Sequence, residues 1–155
     1  MIRIQAWALV SVLAVVVAAA VTAVVATTAP AFLSCTGCPL VPVKHVIDGD
    51  TFDSTHRRVR LYGINAPELG EECFNEATER LRELVGDEVR LELGPRKKDK
   101  FGRVLAYVYT EAGDSVDETL VREGLARAWA RDGQHRDVLA ALEREAQEQG
   151  TGCLW

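Results

Sequence analysis

Three short polar patches carry the side chains that could do chemistry. They are Asp48-Gly49-Asp50-Thr51, then Arg60-Leu61-Tyr62-Gly63-Ile64-Asn65-Ala66-Pro67-Glu68, then Asp99-Lys100-Phe101-Gly102-Arg103. Each lies at the edge of a strand-like run. Together they supply oxygen ligands for a hard cation, a spare carboxylate and two guanidinium forks. Phosphodiester cleavage needs that combination: a cation to neutralise charge and line up water, a base within reach of that water, and planar donors for the phosphate oxygens.

Taken singly, each patch has a plainer reading. Asp48 and Asp50 are common turn formers. No twelve-residue oxygen ladder ending in Glu follows them, so a helix–loop–helix calcium loop is excluded. Asn65 offers an amide oxygen and Ala66 a main-chain carbonyl, both acceptable to calcium beside a carboxylate. Glu68 follows Pro67 and otherwise reads as a solvated turn residue. Arg60 stands five positions before Asn65. That odd offset puts the two on opposite faces of a strand unless the chain bends before Pro67. Arg103 follows Gly102 after a basic stretch, where a turn could present it to a phosphate. Lys97, Lys98 and Lys100 read as solvated, with sequence-independent attraction to phosphates as a second use.

The elements that must hold these patches are short. Strands are expected at Val43–Ile47, Thr51–Ser54, Arg58–Ile64, Glu88–Leu93 and Arg103–Thr110, the fourth with Val89, Leu91 and Leu93 on one face. Helices are expected at Asn75–Val85, capped by Asn75, at Val116–Glu123, and at Gln134–Gln149 with Val138, Leu139, Leu142 and Ala146 inward. Gly94–Lys100 reads as a basic loop and Leu125–Ala130 as extended or irregular. Five strands with about three helices make an α+β fold, and a small Greek-key barrel of the OB type suits the order.

The N-terminal part is different in kind. No charged residue occurs from Ile4 to Val43, and Trp7 to Ala26 is almost wholly apolar. A span of about 20 apolar residues suffices to cross a bilayer, and Arg3 before it fits a cytoplasmic N-terminus. Ala29-Pro30-Ala31 has the small-x-small form of a signal cleavage site. Residues 1–33 are therefore expected to be an anchor or a signal, 34–42 a linker and 43–155 one domain outside the cytoplasm. The four cysteines, Cys35, Cys38, Cys73 and Cys153, suit disulfides in an oxidising compartment. A local Cys35–Cys38 bond is favoured over pairing with Cys73 or Cys153, and the spacing alone does not decide it. The formal net charge of −5 is unusual for a protein that grips nucleic acid. The basic residues are clustered, however, at 57–60 and 96–103, and a local patch on an acidic body still binds a polyanion.

The ordered combination of patches resembles the staphylococcal nuclease-like (thermonuclease) family. Leu120-Val121-Arg122-Glu123-Gly124-Leu125-Ala126 and the closing Leu154-Trp155 strengthen the likeness, which covers residues 43–155. The resemblance implies a five-stranded OB-fold barrel with packed helices. It implies a calcium-dependent endonuclease that cuts DNA and RNA with little sequence specificity, leaving 3′-phosphates. On that mapping Asp50, Asn65 and the Ala66 carbonyl bind the metal, with Asp48 and Thr51 behind them. Glu68 orients or deprotonates the attacking water, and Arg60 and Arg103 hold the scissile phosphate. Lys100 and Phe101 fall on the substrate side.

Three departures stand out. Asn65 replaces a carboxylate, which weakens the metal site. Phe101 lacks the hydroxyl of a tyrosine, and Trp129 falls in a stretch where the family prototype has tyrosines near base and sugar; core packing is the plainer role for it. The expected protein is a monomeric, exported nuclease, tethered to the membrane or secreted. Rival readings are a non-catalytic nucleic-acid-binding barrel and a structural envelope domain. Calcium-independent binding would mark the first, and indifference to loss of both carboxylates the second.

Overall fold

The computed structural model describes residues 33–155; the apolar span Trp7–Ala26 and the proposed cleavage site lie outside them. The elements in chain order are β1 (Leu40–Asp48), β2 (Thr51–Ser54), β3 (Arg58–Leu61), β4 (Ile64–Asn65), α1 (Phe74–Val85), β5 (Glu88–Lys98), β6 (Val104–Thr110), α2 (Val116–Arg122), β7 (Arg127–Ala128) and α3 (Arg136–Gln149). Five strands close into a barrel in the order β1-β2-β3-β6-β5, and β4 pairs with β7 in a separate two-stranded ladder. All barrel pairings are antiparallel except β3 with β6, where Val59, Arg60 and Leu61 lie opposite Val104, Leu105 and Ala106 in parallel register. This is the five-stranded barrel with three helices that the sequence pattern and the family resemblance suggested.

Strand β6 shows why the barrel holds. Val104 to Tyr109 are all buried, so both faces of the strand are covered. Its run of apolar residues without alternation is the mark of a strand enclosed on two sides. Helix α2 packs on it, contributing Val116, Leu120 and Val121. Helix α1 adds Ala77, Leu81 and Val85, and α3 adds Leu139, Leu142 and Ala146.

Several elements depart from the expectations. β1 starts at Leu40, so residues 40–42 pair with β5 rather than forming a linker. β5 continues through Gly94–Lys98, expected as a loop, and meets β6 again at Lys98 and Val104 after a register shift beyond Leu93. A polar ladder carries no hydrophobic alternation and therefore resembles a loop in sequence. Leu93 itself is exposed, as is Val138 on α3. Helix α1 begins at Phe74, and its N-cap position is Cys73, with a positive φ of 69° and no side-chain cap bond. Asn75 thus lies inside the first turn. The N-cap residue instead carries a disulfide to Cys153.

The cysteines pair as Cys35–Cys38 and Cys73–Cys153. The first is the local bond favoured from spacing. The second joins the start of α1, just after the Glu68 loop, to the C-terminal tail across 80 residues. A crosslink over that separation restricts the unfolded chain by roughly 4 kcal/mol in the loop-entropy description. The Cys73→Ala/Cys153→Ala double variant is therefore expected to lose about that much unfolding free energy in urea denaturation. Unchanged stability would show that the bond adds nothing to the fold.

Candidate active site

The site starts at the β1–β2 turn. Gly49 packs there so tightly that a Cβ would lie 2.7 Å from the Cβ atoms of both Ala66 and Ala77. Only a residue without a side chain lets this turn press against the chain at Ala66 and against α1. Asp50, next in sequence, is thereby buried. Its Oδ2 accepts the Ala66 N–H at 3.1 Å and Arg60 Nη2 at 3.1 Å, and its Oδ1 accepts the Thr51 hydroxyl at 2.9 Å. Asp48 Oδ1 accepts the Asp50 N–H at 3.0 Å from behind. Burial pushes the Asp50 carboxyl above the ordinary aspartate value; the Arg60 charge and the Ala66 N–H offset only part of that, and the Asp48 charge adds to it. Burial of a carboxylate is costly unless donors and charge replace the water, and here Arg60 supplies that charge.

Arg60 and Asn65 do share this site, despite their odd offset. The strand ends at Leu61 and the chain bends through Tyr62-Gly63 before β4. A Cβ at Gly63 would lie 2.3 Å from Leu139 Cδ1. Its N–H is taken by the fully buried Asp117 at 3.0 Å and its carbonyl by the Trp129 N–H at 2.7 Å. With the bend so held, Arg60 Nη2 reaches Asn65 Oδ1 at 2.8 Å, while Nη1 donates to the Leu61 and Ile64 carbonyls at 2.8 and 3.0 Å. One guanidinium nitrogen therefore bridges the Asp50 carboxylate and the Asn65 amide oxygen.

Arg103 enters from the other side. Asp99 holds it through a 2.6 Å ion pair at Nε and through its own backbone N–H at 2.9 Å. The Phe101 N–H also donates to Asp99 Oδ1, so the Asp99 carboxylate organises the whole turn. Arg103 Nη1 reaches the Thr51 hydroxyl at 3.4 Å, which links the second arginine to Asp50 through Thr51. Glu68 is exposed on the loop after Pro67. Its N–H and carbonyl are engaged by Glu71, while its carboxylate has no partner among the described residues.

Two adjoining clefts meet at this point. One, of about 350 Å³, is lined by Arg60, Asn65, Glu68, Phe101, Arg103 and Trp129 among others. The other, of about 720 Å³, is lined by Asp48, Thr51, Asp53 and Arg58, and again by Glu68, Phe101 and Arg103. Lys100 borders the first cleft, with its ammonium 4.9 Å from the Phe101 ring. The two clefts thus bring together Asp48, Thr51, Arg60, Asn65, Glu68, Lys100, Phe101 and Arg103, whereas Asp50 and Ala66 are buried and line neither cleft. Phe101, 72% exposed, stands on the wall between the clefts.

Trp129 lines the first cleft rather than the core; its Nε1 donates to Asp132 at 2.7 Å, and Asp132 also binds Arg96. Asp99, Arg96 and Tyr62 also line the first cleft; the sequence reading placed them in its patches and basic cluster without giving any of them a role. For Asp99 a signal existed: an acid four residues before the arginine, with a glycine between, is an Asx-type turn.

Residues 58–155 match the family model described as staphylococcal nuclease homologue. The chain belongs to the staphylococcal nuclease family. It is 36% identical over 121 residues to a thermonuclease of Staphylococcus intermedius, covering 69% of this chain and 71% of that protein. It is 33% identical over 118 residues to an uncharacterized endonuclease of Escherichia coli, covering 73% and 74%. It is 31% identical over 126 residues to a micrococcal nuclease of Shigella flexneri, covering 73% and 71%. The staphylococcal nuclease match includes Arg60, Asn65, Ala66, Glu68 and Arg103, whereas Asp50 precedes it.

The Asp99 carboxyl is pulled below its ordinary value. Burial opposes this, but the Arg103 pair and the two N–H bonds outweigh it. A carboxyl lowered by folding adds stability above its unfolded value and loses it as pH falls through the folded one. Order at the Arg103 turn should therefore survive at the ordinary aspartate pKa and fail only at a pH below it. Asp99→Ala is expected to stay folded and lose about tenfold in activity, and Asp99→Ala/Arg103→Ala to be no worse than Arg103→Ala alone. Additive losses in kcat/KM would show that Asp99 does not act through Arg103.

Proposed function

We propose that this chain is an exported, metal-dependent nuclease that hydrolyses phosphodiester bonds of DNA and RNA with little sequence preference. The observation that carries the reading is the single rim that joins two anchored arginines and an unpartnered glutamate, with the buried Asp50 held behind it by Arg60. Relatives named as nucleases and endonucleases support it.

The donor set decides which metal suits the site. Asp50, Asn65 and the Ala66 carbonyl offer oxygen only, which matches a hard cation such as calcium. Among the described residues no group of three or more His, Cys, Asp or Glu is placed to hold a metal, so a cation here would complete its shell with neutral oxygens, water and the phosphate. Asp50 and Asn65 already share one positive charge, that of Arg60. A hard cation therefore fits, provided Arg60 releases one of the two oxygens. Calcium bound there would neutralise phosphate charge and favour ionisation of a water.

The chain's own groups perform the remaining work. Arg60 and Arg103 grip the phosphate oxygens, where charge builds up during attack. Glu68 takes the proton of the attacking water, being exposed and without a competing partner. Asp99 and Thr51 keep Arg103 aimed. The acidic body weakens long-range attraction of substrate, while Arg96, Lys100 and Arg103 supply local attraction at the first cleft. Export is part of the proposal, because both disulfides require an oxidising compartment. The N-terminal apolar span would serve as anchor or cleaved signal.

One observation favours a rival, a non-catalytic nucleic-acid-binding barrel: Arg60 occupies one oxygen of Asp50 and the amide oxygen of Asn65. Cleavage of single-stranded DNA and RNA with calcium and with chelator separates the two readings. Wild type is expected to cut only with the metal, and Glu68→Gln and Arg103→Ala to remain folded while losing at least about a hundredfold in kcat. Binding without cleavage that ignores both calcium and Glu68→Gln would establish the rival. Asn65→Asp restores a second carboxylate and is expected to tighten calcium by about tenfold in a calorimetric titration. Unchanged affinity would remove Asn65 from the ligand set.

A further inference from the structure

The two clefts share Glu68, Phe101 and Arg103. A polymeric strand whose scissile phosphate sits at Arg103 has nucleotides on both sides of it. It fills the first cleft on one side and must leave through the larger groove on the other. That groove carries a second guanidinium, Arg58, which the catalytic reading does not use.

The sheet places Arg58 beside Arg103. In the parallel β3–β6 ladder Val59 faces Val104, so positions 58 and 103 stand one step earlier, side by side. Neighbouring strands are about 4.8 Å apart. Across β2 the row continues, with Arg58 opposite Asp53 and Asp53 opposite His45. Arg58 is held by Asp53 in a two-pronged pair, Nε to Oδ1 at 2.9 Å and Nη2 to Oδ2 at 3.1 Å. Its Nη1 has no partner among the described residues. The side chains are 52% and 35% exposed, and such surface pairs contribute little to folding. A phosphate offers the same planar match to a guanidinium as a carboxylate does.

We propose that Arg58 holds a phosphate flanking the scissile one, on the strand leaving through the Asp48–Arg58 groove, and that Asp53 competes with that phosphate. This rests on the nuclease reading. The groove has three carboxylates, Asp48, Asp53 and Glu68, against Arg58 and Arg103. Asp53 is thus an attenuator: while it is ionised, the groove holds the strand loosely.

The test is the salt dependence of kcat/KM for a single-stranded thymidine dodecamer with calcium, from about 50 to about 200 mM salt. Arg58→Ala is expected to lower kcat/KM about fivefold at low salt and to flatten the log–log slope by about 0.7, one single-strand phosphate contact. Asp53→Asn is expected to act oppositely, raising kcat/KM and steepening the slope. Arg82→Ala, an exposed arginine on α1 outside both clefts, controls for net charge and is expected to follow wild type. A wild-type slope in Arg58→Ala, or weaker turnover in Asp53→Asn, would overturn the inference while leaving the nuclease reading intact. Failure of wild type to cleave would sink the nuclease reading itself, and this inference with it.

Discussion

The Asp50 carboxylate is the junction on which the rest of the site depends. Removing a carboxylate from water is costly unless donors and charge replace the solvent. Here the replacements are the Thr51 hydroxyl, the Ala66 N–H and the Arg60 guanidinium. Each ties Asp50 to a different strand end: Thr51 to β2, Ala66 to the segment after β4, Arg60 to β3. The barrel thus converges on one charge. Because Arg60 also reaches Asn65 and two carbonyls of the bend, the same contacts that bury Asp50 set the path of the chain towards Glu68.

This arrangement makes the site partly self-neutralising. Arg60 supplies in cis the positive charge that a cation would bring, and with Asn65 in place of an acid the demand for a cation is reduced but not removed. The carboxyl of Asp50 remains raised by burial. On the proposed reading, Asp50 and Asn65 would hold the cation and Arg60 would be freed from their oxygens to hold a phosphate. Arg103 needs no such exchange, since Asp99 holds Nε and leaves the outer face of the fork towards the clefts. The two arginines are therefore inequivalent: Arg60 binds the Asp50 and Asn65 oxygens directly, whereas Arg103 is held by Asp99 and reaches Asp50 only through Thr51.

Much of this was legible in the residue order. The turn at Asp48–Asp50, the break at Pro67, the helical stripes of α1 and α3 and the two basic clusters all follow from local rules. The parts that were hidden depend on distant contacts. The odd offset of Arg60 and Asn65 is resolved by a bend at Gly63 that Asp117 and Trp129 hold from far along the chain. The polar half of β5 pairs because β6 is there, without any alternation of its own. Helix α1 starts after Cys73, which is bonded to the distant Cys153, although Asn75 had the better capping chemistry. Trp129 lines the cleft because Asp132 takes its N–H, a partner no periodicity announces.

The central claim is that Arg60 and a hard cation compete for the Asp50 and Asn65 oxygens. Side-chain nitrogen NMR of Arg60 during a calcium titration tests it most directly. The account predicts that the Arg60 terminal nitrogens shift together with the Asn65 side-chain amide, while Arg103 Nε stays bound to Asp99. Saturating calcium that leaves the Arg60 and Asn65 signals in place would contradict it.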